Sequence, residues 1–417
     1  MFRVEMTVLD DGERMPLLYR SEPYVPVLTA LLYIAVRRRY QKSRTLLRDV
    51  RALQALYRWC GDVRQGPLDL DTHLLHGNTL SASDIEAFAR WMRVGRPRRS
   101  VPEAAKAAVP FPRVLKPVSL QNNLGAVRLY LRWAAQRYRP ERDRYAKAEA
   151  LRSQTLLLDE TFDAVRIRGR TPELEKGLEP EYVRRLLELA NPQHVENPFR
   201  ARLRNRNGLI LTLFYETGIR RGELLKLKVD DLLKDDDGNC FISVCRRPDD
   251  LTDTRRTEPG QKTDDRILAV HPLLHDALLR YVREERRPER EGRPMKLPHA
   301  FLFVSERGAP LAESEVNYLL ARLATRCFGN GVKVHPHLLR NTFCNEFVDY
   351  CTTSEKLDEE AAKDRLRVLC GWSAASRMPE RYTRKRIQRE ANAFNVQRQI
   401  QARASLAQSP LSTTKES

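Results

Sequence analysis

Three short stretches carry side chains able to handle a phosphate ester. In Thr217-Gly218-Ile219-Arg220-Arg221-Gly222-Glu223-Leu224 the first glycine breaks an apolar helix over 209–215 and lets another begin, which puts Arg220 near a helix N-terminus. There the guanidinium donors add to the positive end of the helix and suit a pair of phosphate oxygens. Taken alone, Arg220 reads equally well as a surface helix arginine, and Glu223 either orients it or simply favours a first helical turn. A second helix opens at His335-Pro336-His337-Leu338-Leu339-Arg340-Asn341-Thr342-Phe343, with Pro336 tolerated in the first turn. His337 and Arg340 share one face and can address one ligand, while Leu338, Leu339 and Phe343 turn to the core; an isolated histidine is more commonly structural. Finally, Cys370-Gly371-Trp372-Ser373 leads to Arg381-Tyr382-Thr383-Arg384, and Pro379 can start a short helix carrying Tyr382. A tyrosine in such basic surroundings is either a packing residue or a nucleophile.

Other chemistries are poorly supported. No cysteine pair has CxxC spacing, and Cys240 and Cys245 read as strand residues, so a zinc site is not expected. Gly260-Gln261-Lys262-Thr263 lacks the Gly-Lys pair and the upstream glycine of a phosphate-binding loop, which argues against ATP use. Asp235, Asp236, Asp237, Gly238 and Asn239 read as a hairpin turn, because Leu233 stands where a calcium loop needs its first ligand. Neither a metal nor a cofactor is expected.

The elements that must hold these groups follow from patterning. The chain has 417 residues, too many for one ordinary core, with 41% hydrophobic and 31% charged residues, which excludes a disordered chain. Its net charge of +19 sits mainly in residues 1–170, where 31 Lys and Arg face 18 Asp and Glu. A positive field of that size attracts a polyanion, nucleic acid above all, and no amphipathic membrane anchor accompanies it. The apolar stretch 25–36 is too short to cross a bilayer, the N-terminus has no secretory h-region, and seven irregularly spaced cysteines indicate reduced thiols in a cytoplasm. The first third reads as helices: Leu28, Leu31, Leu32, Ala35 and Val36 before Arg37, Arg38 and Arg39; Leu46, Val50, Leu53, Leu56 and Tyr57; a helix from Ser83 through Met92; and one over 119–138 with Arg128, Arg132 and Arg137 opposite its apolar side. Such basic outer faces make a DNA-gripping module or merely a solvated surface. A basic, proline-containing connection runs from Arg96 to Pro117, and 151–180 reads as connecting chain, with Arg166, Arg168, Gly169, Arg170 and Pro172. Phe241, Ile242 and Val244, then Ile267, Leu268 and Val270, read as strands flanking a long polar loop. Helices follow to about residue 404, then a disordered tail.

Any one of these stretches is a weak signal, but their order is not. The chain resembles the tyrosine recombinase (phage integrase) family through Thr-Gly-Ile-Arg220-x-x-Glu223, His337-x-Leu339-Arg340-x-Thr342, Gly371-Trp372 and Tyr382. The resemblance implies Arg220 and Arg340 as the two family arginines, His337 as the histidine between them, Trp372 at the His/Trp position and Tyr382 as nucleophile. It implies a loop lysine, for which Lys262 fits best and Lys234 or a nearby arginine competes. Asn341 stands where the family often has a second histidine, 353–363 is an apparent insertion, and the interval from Trp372 to Tyr382 is one residue longer than the family's usual one. The implied fold is mainly α with a small antiparallel β-sheet (α+β) in the catalytic domain and an all-α N-terminal domain: 1–165 a helical, SAM-like core-binding domain, 166–179 a linker, 180–404 the catalytic domain and 405–417 the tail. The implied reaction is site-specific recombination of double-stranded DNA through a 3′-phosphotyrosine, without metal or ATP, as needed to integrate, excise or transpose a mobile element. Two arginines would neutralise the phosphate, His337 handle the tyrosine proton, Lys262 protonate the leaving 5′ oxygen and Trp372 pack and lend an N–H donor. A homotetramer on DNA, monomeric or weakly associated without it, acting in the cytoplasm on the nucleoid, is expected. The alternatives are a type IB-like topoisomerase and a catalytically silent DNA-binding regulator.

Overall fold

The computed structural model describes residues 2–38, 41–94, 115–138, 144–166, 177–290 and 293–408. Residues 96–114 of the expected basic connection from Arg96 to Pro117, the linker residues Arg168, Gly169, Arg170 and Pro172, and the tail beyond Gln408 lie outside the described residues. Two compact units divide the chain, one of residues 1–171 with 256–258, the other of 172–255 with 259–417. The architecture is mainly helical with small antiparallel sheets. No helix among the described residues is long and apolar enough to cross a membrane.

The first unit is not all-α. Strands β1 (Phe2–Val8), β2 (Arg14–Ser21) and β3 (Tyr24–Pro26) form an antiparallel sheet in sequence order, with Val4 opposite Leu18. The alternation Phe2, Val4, Met6, Val8 has the period of a strand, and Gly12, at φ +84°, closes the turn between β1 and β2. Helices α1 (Leu28–Tyr33), α2 (Ser43–Asp62), α3 (Leu70–Leu75), α4 (Ala82–Val94), α5 (Pro117–Arg137) and α6 (Arg144–Ala164) follow. The apolar face expected on α2 is the buried one. In α1 the buried side is Thr29, Ala30 and Tyr33, whereas Leu28, and Val36 in the π-helical turn that follows (Ile34–Arg38), are exposed, so the leucine spacing misjudged the phase. Helix α6 occupies the first half of the expected connecting chain, and it changes the meaning of the basic face on α5: Arg128 binds Asp159 at 2.7 Å and Asp163 at 2.9 Å, and Arg132 binds Asp159 at 3.1 Å. Those arginines are neutralised within the unit.

In the second unit α7 (Pro180–Ala190) and α8 (Ala201–Thr217) pack on the core formed with α10 (Pro272–Glu284), α11 (Glu313–Phe328) and a three-stranded antiparallel sheet. Its strands are β4 (Leu232–Lys234), β5 (Cys240–Val244) and β6 (Arg266–Val270), in that order, with Ile242 opposite Leu232 and Leu268. Cys240, Ile242 and Val244 point inward, as alternation requires. The acidic segment is a hairpin turn: Gly238 N donates to Asp235 O (3.1 Å) and Asn239 N to the Asp235 carboxylate (2.7 Å). No group of three or more metal-ligating side chains occurs among the described residues. The long segment between β5 and β6 is tied down by buried charge: Arg247 pairs with Asp231, Lys226 with Asp253 (3.1 Å), and Arg255 Nη1 donates to Leu225 O (3.1 Å) and Leu311 O (2.9 Å). Helices α9 (Arg221–Lys226), α12 (Pro336–Thr353), α13 (Glu359–Cys370) and α14 (Glu380–Gln408) carry or directly flank Arg220, His337, Arg340, Trp372 and Tyr382. Tyr382 does not ride a short helix. It lies in the first turn of α14, which runs on to Gln408, past the residue where a tail was expected.

Candidate active site

Each arginine is placed by a local break in the chain. Helix α8 ends at Gly218, whose φ of +59° is the left-handed cap that glycine tolerates best. A Cβ there would also lie 2.3 Å from the Phe343 ring, so the turn packs directly against α12. Arg220 follows as the N-cap of α9. On α12, His335 caps the helix with its ring accepting from Leu338 N, and Pro336 occupies the first turn. His337 is exposed on that turn, and Arg340, one turn on, is buried. Helix α13 ends at Gly371, again left-handed at φ +60°.

These three breaks converge. Arg340 Nη1 donates to Gly218 O (2.5 Å) and Nη2 to Cys370 O (3.0 Å), and Arg220 Nη1 donates to the same Cys370 carbonyl at 3.4 Å. Both guanidiniums face the Trp372 ring, at 5.2 Å for Arg340 and 6.0 Å for Arg220. The Tyr382 ring stacks with Trp372, centroids 6.0 Å apart and planes within 11°. Arg220, Arg340, Trp372 and Tyr382, far apart in sequence, therefore share one site. The Trp372 Nε1–H is buried and has no hydrogen-bond partner among the described residues, which leaves a donor beside the two arginines.

Glu223 is the hub beneath this pair. Its carboxylate accepts from Arg220 N (2.9 Å), Arg220 Nη1 (3.4 Å), Arg266 Nη2 (2.8 Å) and the Thr263 hydroxyl. Burial alone would raise its pKa, but the Arg266 guanidinium and the other donors outweigh that and hold it at about 2. Two guanidiniums on one carboxylate, with that of Arg340 close by, leave a local surplus of positive charge. Burial lowers the pKa of Arg220, and the charge of Arg340 lowers it further, so the two cations repel one another until an anion arrives.

Lys262 is exposed and lies on a segment held at both ends. Gly260 packs so closely on Gly222 that a Cβ there would meet the Gly260 carbonyl at 2.1 Å, and Thr263 is bonded to Glu223. This segment also bonds inward through Gln261, which donates to Cys245 O at 2.8 Å. The competing Lys234 is exposed at the end of β4, with none of these ties to Glu223 or Gly222.

Two features escaped the sequence reading. Asn341 accepts the Tyr382 hydroxyl at 3.0 Å, so the substituted histidine position touches the phenol itself. Tyr382 is 2% exposed, and burial first, then the neighbouring Cys344 and Cys370 thiols, push its pKa upward despite the opposing charge of Arg340. Arg266, which also donates to Leu369 O (2.7 Å), links the lysine-bearing segment to the end of α13. Its place at the start of a strand gave no local signal for either contact.

With this geometry in place, the likeness to known proteins has a physical counterpart. The sequence profile of the Phage integrase family matches residues 176–389, just over half the chain, spanning every residue of the site. The chain belongs to the phage integrase family. It is a site-specific DNA recombinase of the tyrosine recombinase class. Tyrosine recombinase XerC of Bacillus pumilus (strain SAFR-032) is 29% identical over 241 residues, covering 55% of this chain and 70% of that one. The XerC protein of Bacillus licheniformis is 28% identical over 242 residues, covering 55% and 71%. Among solved structures, the Tn1549 transposon integrase in complex with transposon right end DNA is similar at 17% identity, covering 88% of this chain and 99% of that chain, with a TM-score of 0.49. Among the departures from the family pattern, Asn341 is a direct contact of the tyrosine.

Proposed function

We propose that this recombinase cuts and rejoins double-stranded DNA by attack of Tyr382 on a phosphodiester gripped between Arg220 and Arg340. The observation that carries this reading is the meeting of both guanidiniums on one carbonyl, over the same indole that stacks with Tyr382. A phosphodiester resists attack because it is anionic and its alkoxide leaves poorly. Fixed guanidinium donors stabilise the charge gained in the transition state, and losing one such donor costs roughly 3 to 4 kcal/mol of barrier. The orphaned Trp372 N–H adds a further donor for a phosphate oxygen.

As seated, the phenol donates to Asn341 and is harder to ionise than free tyrosine, so this is the resting form. On attack its proton passes to His337, exposed one turn ahead of Arg340, and Lys262 supplies the proton taken up by the leaving 5′ oxygen. The resulting 3′-phosphotyrosine keeps the bond energy, so rejoining requires no nucleotide hydrolysis. The enzyme works as a homotetramer on paired DNA sites in the cytoplasm, with the 1–165 segment gripping the duplex and the exposed length of α14 serving as the surface that meets a neighbouring protomer. Ile387, Phe394, Val396 and Ile400, exposed along α14, suit that contact.

Trapping covalent protein–DNA junctions across the host genome tests the proposal. The parent protein should yield discrete junctions, Tyr382→Phe none, and Arg220→Ala far fewer, with DNA binding retained in both variants. Undiminished junctions in Tyr382→Phe would remove that tyrosine from the role.

A further inference from the structure

Beneath the tyrosine lies a thiol pair that the reaction above does not use. Cys344 and Cys370 are both fully buried, and their sulfurs are 3.6 Å apart. They come from different elements: Cys344 from α12, one turn beyond Arg340, and Cys370 from the last position of α13. Together with Val348, Leu366 and Tyr382 they form a small core of their own. The carbonyl of Cys370 is the atom on which both arginines meet, so this side chain hangs from the floor of the phosphate clamp.

We propose that Cys344 and Cys370 form a disulfide on exposure to hydrogen peroxide, and that the bond shuts down DNA cleavage by displacing the clamp. This inference deepens the proposed function and rests on it for its activity readout. The surroundings favour the chemistry. Burial opposes a thiolate at Cys370, but the Cys344 hydrogen bond and the guanidiniums of Arg340, Arg266 and Arg220 outweigh it and lower its pKa. Cys344 is pushed the other way, chiefly by burial, and keeps its proton for the hydrogen bond. One sulfur is thus the attacking group and the other the resolving group. The Cys370 thiolate attacks peroxide, the O–O bond breaks to leave a sulfenic acid, and the departing hydroxide takes a proton from solvent to leave as water. The Cys344 sulfur then displaces the sulfenic oxygen, which departs as a second water after taking the thiol proton. Two electrons pass from the sulfurs to one peroxide, and two waters form. Peroxide is little larger than water and reaches a buried pair through local opening.

The bond requires the sulfurs to close to roughly 2.05 Å, a movement of about 1.5 Å. Helix α12 is anchored in the core, so most of the movement falls on Cys370 and the left-handed Gly371 beside it. That shift carries the Cys370 carbonyl and Trp372 out of register with the arginines. A displacement of about 1 Å in a catalytic group costs on the order of a hundredfold in rate.

The test uses the full-length protein, reduced and then treated with hydrogen peroxide. Digestion without reductant should yield the peptides bearing Cys344 and Cys370 joined, with two hydrogens lost. Formation of the covalent DNA adduct should fall about a hundredfold and return with dithiothreitol. Cys344→Ala should form the adduct at one rate before and after peroxide, whatever that rate is. Should the variant not fold, reversal in the parent protein together with the mapped bond decides the matter. The proposal is overturned if both thiols remain fully alkylatable after peroxide, if the bond forms without slowing the adduct, or if Cys344→Ala is equally sensitive. A reduced protein that forms no adduct overturns the proposed function instead, and the peptide masses then decide by themselves whether the pair oxidises.

Discussion

Replacing Glu223 by glutamine separates the charge of the hub from its shape. The amide can still accept from Arg220 N and from Thr263, but Arg266, whose side chain is 5% exposed, loses the carboxylate it pairs with while remaining buried. The magnitude follows from titration. Glu223 falls from an ordinary 4.5 to about 2 on folding, which at 1.36 kcal/mol per pH unit is about 3 kcal/mol of stability at neutral pH. Because the folded pKa is the lower one, this contribution is complete above 4.5 and is lost as the pH falls towards 2. Glu223→Gln should therefore be about 3 kcal/mol less stable than the parent at pH 7, within the range for breaking a buried ion pair. About 1.4 kcal/mol of that gap should remain at pH 3 and little at pH 2. Urea denaturation across this pH range measures the gap. Hydrogen exchange of the α8 amides at pH 7 locates it in the second unit, where exchange should quicken about a hundredfold. Equal stability at pH 7, or a gap that persists undiminished at pH 2, would refute the reasoning that the carboxylate charge holds the site together.

Arg340→Lys keeps a positive charge but cannot span Gly218 O and Cys370 O at once; adduct formation should fall by a hundred- to a thousandfold while DNA affinity in a gel-shift assay barely changes. Gly222→Ala should force the Gly260 carbonyl away from α9 and carry Lys262 with it. Its adduct should form at least tenfold more slowly than the parent's, roughly the effect of losing general acid–base assistance in part. Affinity for DNA should fall steeply with added salt, in a straight line on logarithmic axes, and a flat line would contradict phosphate neutralisation by the surplus of lysine and arginine.

Sequence alone determined those features that a few neighbouring residues enforce. The break at Thr217-Gly218, the helix start at His335-Pro336, the hairpin over 235–239 and the strands on either side of the long polar segment all depend on local backbone preference, and each is where it was expected. The order of Arg220, His337, Arg340, Trp372 and Tyr382 carried the family. Alternation in the first eight residues was equally legible as a strand, but the surrounding helical spacing obscured it. What the tertiary structure decided is which groups meet. Glu223 gains Arg266 from 43 positions away, Tyr382 gains Asn341 from 41, and Arg128 and Arg132 of α5 are neutralised by a helix most of which read as connecting chain. Cys344 and Cys370 likewise become neighbours only when α12 and α13 pack. Hydrogen bonds and ion pairs of this kind have a range of a few ångströms and no sequence period, so partners are chosen by the packing of whole elements, after local preference has set where each element begins and ends.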